Sequence, residues 1–201
     1  MAKQKPGERM SKQPLKEFFG KSQLLSEKTI DLMVDEYEER HFDKDEFFLK
    51  QGKISESVVL IEGLMRAYTF DIDGNEVTTN FFSRQRAVYD PASFFQQIAS
   101  MENIQAVTPC LTYSISYEKV NKIFHALPGF REYGRLKLLE EVIWFKQRTL
   151  AVINRSAEER YADLIKDHED ILQNVPLKHI ASSLGITDSS LSRIRRNFAG
   201  R

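Results

Sequence analysis

The chain is poor in the residues on which several kinds of site depend. Its 201 residues include one cysteine, Cys110, which excludes a disulfide within the chain and a four-cysteine iron–sulfur cluster in one subunit. The histidines lack metal-ligand spacing; they are His41, His125, His168 and His179. Neither a phosphate-binding glycine loop nor a nucleophile motif is present. We therefore predict no cofactor and no enzymatic activity.

Long apolar segments are also missing. No run of about 18 apolar residues occurs, so no membrane span is expected. The first 13 residues, MAKQKPGERMSKQ, lack the apolar core of a secretory signal. We expect a cytoplasmic protein in which residues 1–13 form a disordered basic tail.

Charge is distributed unevenly along a chain whose net charge is zero. Residues 14–128 carry 12 basic and 18 acidic side chains, whereas residues 176–201 carry five basic and one acidic side chain. A cationic end on an acidic body indicates that this end contacts a polyanion.

The basic end reads PLKHIASSLGITDSSLSRIRRNFAGR. It predicts two short amphipathic helices around Gly185, where a tight helix end needs positive φ. The residues predicted to pack between the helices are Ile180, Ala181, Leu184, Ile186, Leu191 and Ile194. The segment resembles a helix-turn-helix motif, which places its second helix in the major groove of DNA. The alternative is an ordinary helical hairpin whose arginines are solvated.

The second helix of this motif begins with short polar residues and carries its arginines late, an order that suits contact with base edges and phosphates. The residues predicted to face bases are Thr187, Asp188, Ser189, Ser192 and Arg193. Those predicted to hold phosphates are Lys178, Arg195 and Arg196. We interpret His179 as a surface or phosphate-contacting residue.

The first half of the chain favours a rolled antiparallel sheet. Short β-rich runs are punctuated by Gly52, Gly63 and Gly74, which are eleven residues apart, and Asp73-Gly74 is a hairpin signal. The runs are 47–49, 58–61, 64–70, 77–82, 104–107 and 111–116. Unrelated loop turns are the alternative for the glycines. The apolar spacing in residues 14–37 predicts short helices before this sheet.

A long helix is predicted from Phe130 to about Asn154. A seven-residue register gives a coiled-coil seam of Leu136, Leu139, Ile143, Lys146, Leu150 and Ile153. We predict that this seam pairs with a second copy of the chain. Packing on the subunit's own sheet is the alternative, and both can hold because a second apolar flank exists: Tyr133, Val142, Trp144, Phe145 and Val152.

A capping box, Ser156 with Glu159, predicts the next helix and a hinge at Arg155/Ser156. Residues 167–174 are predicted to be a polar connector. The predicted organisation is a tail (1–13), an effector-type β-roll domain (14–128), a long dimerisation helix (129–155) and a helix-turn-helix domain (156–201).

This order resembles the catabolite activator (cyclic-AMP receptor)/fumarate–nitrate regulator family of bacterial transcription regulators. The segments that carry the resemblance are LKQG at 49–52, VVLIEG at 58–63, DGNEV at 73–77, SAEERYADLI at 156–165 and ASSLGITDSSLSRIRR at 181–196. The resemblance implies an α+β fold with an N-terminal antiparallel β-roll like a cyclic-nucleotide-binding domain, flanking helices, a long dimerisation helix and a C-terminal helix-turn-helix domain. It also implies a homodimer, an effector-sensing roll, double-stranded promoter DNA as the target and RNA polymerase as a partner.

The chain departs from cyclic-nucleotide-binding members, which use a Gly-Glu pair and a later arginine to hold the ligand. Residues 89–107, YDPASFFQQIASMENIQAV, contain no lysine or arginine, and a buried phosphate without a cation is costly. We predict no ordinary cyclic-AMP response and leave the effector open. Candidate pocket residues are Tyr89, Phe94, Phe95, Gln97, Ser100 and Asn103, with core and loop of the roll as their alternative role.

The recognition helix also departs from the family pattern. Asp188-Ser189 stand where activators often carry an Arg-Glu pair, so a different base sequence is expected. The predicted function is a homodimeric, sequence-specific DNA-binding transcription regulator. A ligand-binding module that acts on a protein partner and a cyclic-nucleotide-regulated enzyme subunit are the alternatives.

Overall fold

The computed structural model describes residues 12–167 and 169–199. Most of the predicted basic tail, residues 1–11, lies outside the described residues. The prediction of a disordered tail is wrong for its last two residues, Lys12 and Gln13. The first helix begins at Gln13, and Lys12 Nζ donates to the Val34 carbonyl oxygen at 2.7 Å. The structured part therefore starts before Pro14.

Within the described residues, two helices precede a region of eight strands. A third helix lies between the sixth and seventh strands, and a fourth follows the eighth. The elements are α1 (Gln13–Gly20), α2 (Glu27–Val34), β1 (Glu38–Phe42), β2 (Phe47–Leu49), β3 (Ser57–Glu62), β4 (Met65–Phe70), β5 (Glu76–Phe82), β6 (Arg86–Val88), α3 (Pro91–Gln96), β7 (Asn103–Ala106), β8 (Cys110–Ile115) and α4 (Tyr117–Ala126).

The remaining elements are helical. They are α5 (Pro128–Asn154), α6 (Ala157–Asp167), α7 (Glu169–Asn174), α8 (Leu177–Ser183) and α9 (Asp188–Ala199). None of the described helices is long and apolar enough to cross a membrane.

The strands form two antiparallel four-stranded sheets, in the orders β1-β8-β3-β6 and β2-β7-β4-β5. Strand β3 shows how they bury two cores, because successive side chains of a strand point to opposite faces. Val58 and Leu60 pack in the roll interior, whereas Val59 and Ile61 pack against α1, α2 and α4. The predicted α+β fold with an antiparallel roll is confirmed.

The three evenly spaced glycines lie in left-handed backbone: φ is +84° at Gly52, +96° at Gly63 and +82° at Gly74. Gly63 has a second constraint, because a Cβ there would collide with the Pro109 carbonyl oxygen and lie 2.7 Å from Cys110 Sγ. The regular spacing therefore follows from the turns that join the strands of the roll.

Several elements differ from the expectation. Strands β1 and β6 and helices α3 and α4 have no counterpart among the predicted runs. The predicted connector, residues 167–174, contains α7, whose Ile171 is only 1% exposed. The polar sequence around Ile171 hid this helix, since its burial comes from packing with Val175 and Ile180 in the C-terminal core.

Helix α5 is 27 residues long, and only its first turn is buried, at Phe130. The predicted second flank is not buried against the subunit, because Val142, Phe145 and Val152 are 64%, 45% and 61% exposed. Tyr133 and Trp144 of that flank are half-buried. Packing on the subunit's own body therefore covers α5 only in part.

The end of α5 forms a distinct joint. Arg155 has extended backbone, and α6 begins at Ala157. The Ser156 amide donates to Glu159 Oε2 at 2.8 Å, while the Glu159 amide donates to Ser156 Oγ at 3.2 Å. The two reciprocal bonds make the capping box that the sequence predicts.

Candidate nucleic-acid interface

Helices α8 and α9 and the turn between them form the candidate interface, which we call the reader. Gly185 has φ +66°, and its amide donates to the Ser182 carbonyl oxygen at 3.0 Å. The Ile186 amide then donates to the Ala181 carbonyl oxygen at 3.1 Å. These bonds satisfy carbonyls at the end of α8 and turn the chain sharply into α9.

Thr187 ends the turn and caps α9. Its hydroxyl accepts from the Ser190 amide at 3.3 Å, and its carbonyl oxygen accepts from the Leu191 amide at 3.0 Å. Thr187 is thus a capping residue as well as a candidate base contact, and the helix proper starts at Asp188.

An apolar core holds the two helices together. Ile180 and Leu191 are fully buried, Ala181, Ile194 and Leu184 are nearly so, and Ile186 packs against the same cluster. This cluster also includes Tyr161 of α6, Ile171 of α7 and Val175, which follows α7. The six apolar positions that the sequence singles out therefore fix the angle between α8 and α9.

All the predicted DNA-contacting side chains are exposed. Ser189, Ser192, Arg193 and Arg196 follow the i, i+3, i+4, i+7 spacing that places residues on one helix face. Thr187 and Asp188 stand just before and at the start of α9, beside this face rather than on it, and Lys178 and Arg195 are also exposed. The structure thus leaves every member of the predicted set exposed on the reader: Lys178, Thr187, Asp188, Ser189, Ser192, Arg193, Arg195 and Arg196.

Among the described residues, the cations of this surface form no ion pair with a carboxylate. No ion pair within residues 12–167 and 169–199 involves Lys178, Arg193, Arg195 or Arg196. An unpaired cationic face of this kind suits the phosphates of a nucleic acid.

His179 differs from its predicted role, because its side chain is 16% exposed and points to the roll. Nδ1 of His179 hydrogen-bonds the Arg66 guanidinium of β4, which also donates to Glu76 Oε2 at 2.5 Å. Burial, together with the charges of Arg66 and Lys178, lowers the pKa of His179 to about 4. A neutral histidine held there is an interdomain contact rather than a phosphate contact.

Helix α8 is also held on strand β5 by hydrogen bonds between a serine side chain and the strand backbone. Ser182 Oγ accepts from the Thr78 amide at 2.8 Å and donates to the Glu76 carbonyl oxygen at 3.2 Å. Leu64 and Phe81 of the roll join the apolar core of the reader. The first reader helix therefore faces the subunit's own roll while the second faces outward.

The six candidate effector residues divide into two groups. Tyr89, Phe94 and Phe95 line a cavity of about 650 Å³ that lies between the roll, α1, α4 and α5. Their ring centroids lie 5.2–5.9 Å apart, and the Tyr89 hydroxyl donates to Glu141 Oε2 at 2.9 Å. Burial raises the pKa of Tyr89, which keeps the phenol protonated.

The other three make internal hydrogen bonds away from that cavity. Ser100 Oγ donates to Asp90 Oδ2 at 2.6 Å, Asn103 Oδ1 accepts from the Gln51 amide at 3.0 Å, and Gln97 Nε2 donates to the Phe94 carbonyl oxygen at 2.6 Å. These bonds correspond to the alternative role, loop and core of the roll.

An internal carboxylate occupies the start of α3. Asp90 Oδ1 accepts from the amides of Ala92 and Ser93, at 3.0 and 3.3 Å. Because these amides are already satisfied by a negative charge, and residues 89–107 supply no cation, this segment is unfavourable for a phosphate. Among the described residues, no group of three or more His, Cys, Asp or Glu side chains could hold a metal ion.

Comparison with known proteins agrees with this architecture. Residues 39–126 match the cyclic nucleotide-binding domain family. No curated protein sequence matches the chain.

Solved structures match over most of the chain. CLP, a c-di-GMP-responsive global regulator from Xanthomonas campestris, is 14% identical with a TM-score of 0.70, covering 87% of this chain and 92% of its own. FixK2 from Bradyrhizobium japonicum is 14% identical with a TM-score of 0.69, covering 82% and 85%. The catabolite activator protein of Thermus thermophilus is 16% identical with a TM-score of 0.52, covering 91% and 86%.

The chain has the fold of the catabolite activator/fumarate–nitrate regulator family. The family resemblance drawn from the sequence motifs is thereby confirmed for the fold. Within that fold, the sequence departures in residues 89–107 lie in the roll, and those at Asp188-Ser189 lie at the start of α9.

Proposed function

We propose that the protein is a sequence-specific DNA-binding transcription regulator that acts as a homodimer. The observation that carries this proposal is the outer face of α9, where Ser189, Ser192, Arg193 and Arg196 are exposed together and free of carboxylate partners in the described chain. Short polar side chains and arginines on one helix face can contact base edges and phosphates at once.

The domain roles follow from the same proposal. Residues 14–128 are assigned to effector sensing, 129–155 to dimerisation and 156–201 to DNA binding. The predicted seam of α5 supports dimerisation, because Leu139, Ile143, Leu150 and Ile153 are 46%, 55%, 42% and 74% exposed. Leu136 is half-buried on the same line. A second copy of α5 would cover this stripe.

A dimer of this kind would place two readers about one DNA turn apart, roughly 34 Å, on a near-palindromic promoter site. Such a regulator works in the bacterial cytoplasm and acts on transcription by contact with RNA polymerase or by blocking it. Binding to a protein partner through the C-terminal helices is the alternative function.

Selection of DNA from a random pool with the purified protein tests the proposal. We expect enrichment of a site with two symmetric half-sites spaced by about 10 base pairs. A variant with Arg193→Gln and Arg196→Gln is the control, and it should enrich little or nothing. A folded wild-type protein that enriches no sequence would overturn the proposal and favour a protein partner.

We further propose that cyclic AMP is not the effector. Two observations support this. Residues 89–107 contain no lysine or arginine to neutralise a phosphate, and the Asp90 carboxylate already accepts from the amides at the start of α3. A ligand at 100 times its dissociation constant stabilises a protein by about 2.7 kcal/mol. We therefore expect no rise in melting temperature with millimolar cyclic AMP or cyclic GMP, and a clear rise would contradict this part.

A further inference from the structure

A cleft of about 620 Å³ lies where the roll, helix α5 and the C-terminal helices meet. Its charged lining consists of four arginines and one carboxylate: Arg86, Arg148, Arg155, Arg160 and Asp163. Arg155 forms an ion pair with Asp163. In residues 12–167 and 169–199, the other three arginines form no ion pair, so the cleft has uncompensated positive charge.

Arg160 has one donor group without a partner. Its Nη1 donates to the Arg155 carbonyl oxygen and its Nη2 to the Leu184 carbonyl oxygen, both at 2.7 Å. Nε is buried and makes no hydrogen bond within the described structure. A buried donor without a partner is unfavourable, and an acceptor bound against this guanidinium would relieve that cost.

Arg148 projects into the same cleft from α5. Its Nη2 is 3.4 Å from the Ser183 carbonyl oxygen, a long hydrogen bond. Burial lowers the pKa of Arg148, and Glu102 offsets this only in part. The cation thus lies in a partly dry environment without a contacting counter-ion, where an anion would bind more strongly than at an open surface.

Trp144 completes the lining. The Arg148 and Arg86 guanidinium carbons lie 5.4 and 5.6 Å from centroids of its indole rings. Val152, which is exposed and lies outside the predicted seam of α5, is on the rim. The cleft therefore offers guanidinium groups for an anionic group and apolar surface for the rest of a ligand.

We propose that this cleft binds a small organic anion that carries a phosphate or carboxylate group, with Arg148 and Arg160 contacting the anionic group. A planar guanidinium matches both groups through paired hydrogen bonds. The volume falls within the range of about 300–1,000 Å³ that small-molecule sites occupy. The site is separate from residues 89–107, none of which lines it.

The single tryptophan of the chain reports directly on this site. Trp144 fluorescence is followed while inorganic phosphate, pyrophosphate or citrate is added at an ionic strength held constant with chloride. We expect a saturable change with at least one of the three anions. Arg148→Gln and Arg160→Gln should each weaken that binding about tenfold or more.

Arg84→Gln is the matched control, because Arg84 is an exposed loop arginine that does not line the cleft, and it should bind as the wild type does. Since Arg160 also holds two carbonyl oxygens, its variant is checked by circular dichroism. Arg148→Gln loses a long hydrogen bond and the contact of Arg148 with the Trp144 ring, so its affinity is taken from the midpoint of its own titration, which keeps the test decisive. Absence of a saturable change with all three anions, or a change that survives in Arg148→Gln, would overturn the proposal.

A consequence for regulation rests on the proposed function. Because Ser183 and Leu184 of the reader line the cleft, a bound anion should change the affinity for the selected DNA site, and Arg148→Gln should abolish that change. The fluorescence titration contains no DNA. A failure of DNA binding therefore leaves the anion site intact, and a failure of anion binding leaves DNA recognition intact.

Discussion

Two arginines on the outer face of α9 differ in their position along the helix. Arg193 lies nearer the start of α9, beside the short polar residues, and Arg196 lies one turn later. Both are exposed, so replacing either should leave the fold unchanged. This position argues for base contact by Arg193 and phosphate contact by Arg196.

We expect Arg193→Ala to cost about 1–3 kcal/mol on the selected site and to relax one base position. Arg196→Ala should weaken binding to all sequences alike and reduce the slope of log affinity against log salt by about one. Fluorescence polarisation with selected and random duplexes at several salt concentrations measures both effects. Equal losses on the two duplexes for both variants would contradict the division.

Gly63 shows how one residue can be fixed by two constraints. Its φ of +96° strains any side chain, and the Cβ of an alanine would meet the Pro109 carbonyl oxygen and Cys110 Sγ. Gly52 has a similar φ of +84° but open space around it. Alanine substitutions at Gly52 and Gly63 therefore separate the cost of backbone strain from the cost of a steric collision.

We expect Gly52→Ala to lower the free energy of unfolding by about 1–2 kcal/mol, and Gly63→Ala by about 2–5 kcal/mol because overpacking is added to the strain. Urea unfolding followed by circular dichroism measures both. Gly20→Ala, at a site without positive φ and with nothing within 4 Å, serves as the reference. Similar losses for Gly52→Ala and Gly63→Ala would show that the loop of Gly63 relaxes.

Single residues also show where sequence reasoning succeeds. The spacing of Gly52, Gly63 and Gly74 located three turns, because a glycine at positive φ leaves a local signal. His179 left none: its role depends on Arg66, which is 113 positions away. A contact between distant segments cannot be read from the residues beside it.

At the scale of elements, α5 carries more exposed apolar surface than a solvated helix would hold. Ile143 and Val152 are 55% and 61% exposed, so a charged residue at either should be tolerated within the subunit. Ile143 belongs to the predicted seam, and Val152 does not. The two positions therefore test the register of the seam.

We expect Ile143→Lys to shift the protein from dimer to monomer at micromolar concentration, because two lysines would face each other in the paired helices. Val152→Lys should leave the dimer intact. Sedimentation equilibrium measures the association constant of each. A monomeric wild type, or a stronger effect of Val152→Lys, would contradict the seam.

Elements with a strong local pattern were predictable, and those that depend on neighbours were not. Strands such as β3 and β5 are rich in β-branched and aromatic residues. Strand β1 reads EERHF and pairs with β8 from Glu38 to Phe42, so its strand character comes from its partner. Helix α7 was missed for the same reason, because only Ile171 and Leu172 of its six residues are apolar and both pack on the C-terminal core.

At the scale of the whole molecule, the reader is attached to the roll through a polar contact beside the apolar side chains Leu64 and Phe81, rather than through α6 alone. Arg66, 4% exposed in its side chain, joins Glu76 and His179, and Ser182 bridges to β5. The sequence predicted the roll, the long helix and their order, but not this contact, since it joins segments more than 100 residues apart. Tertiary packing also decides which candidate effector residues line a cavity and which make internal hydrogen bonds, and the sequence could not separate these two groups.

His179 makes the attachment of the reader sensitive to pH. The groups that face it are Arg66 and Lys178, which lower its pKa, and Glu76 and Asp188, which raise it, while burial is the largest cause. With a pKa of about 4 when docked and an ordinary value of 6.5, His179 binds a proton more readily in the unfolded chain. Its contribution to stability is therefore complete above pH 6.5 and is lost as pH falls toward 4.

We expect this residue to add up to about 1.4 kcal/mol per pH unit to the pH dependence of the free energy of unfolding between those values. Urea unfolding of the wild type and of His179→Gln at pH 5 and pH 7.5 measures the difference, since carboxylates common to both cancel. His125→Gln, at an exposed position of α4, should behave as the wild type. If His179→Gln retains the full pH dependence, the histidine is not held neutral against Arg66, and the reader is free of the roll in solution.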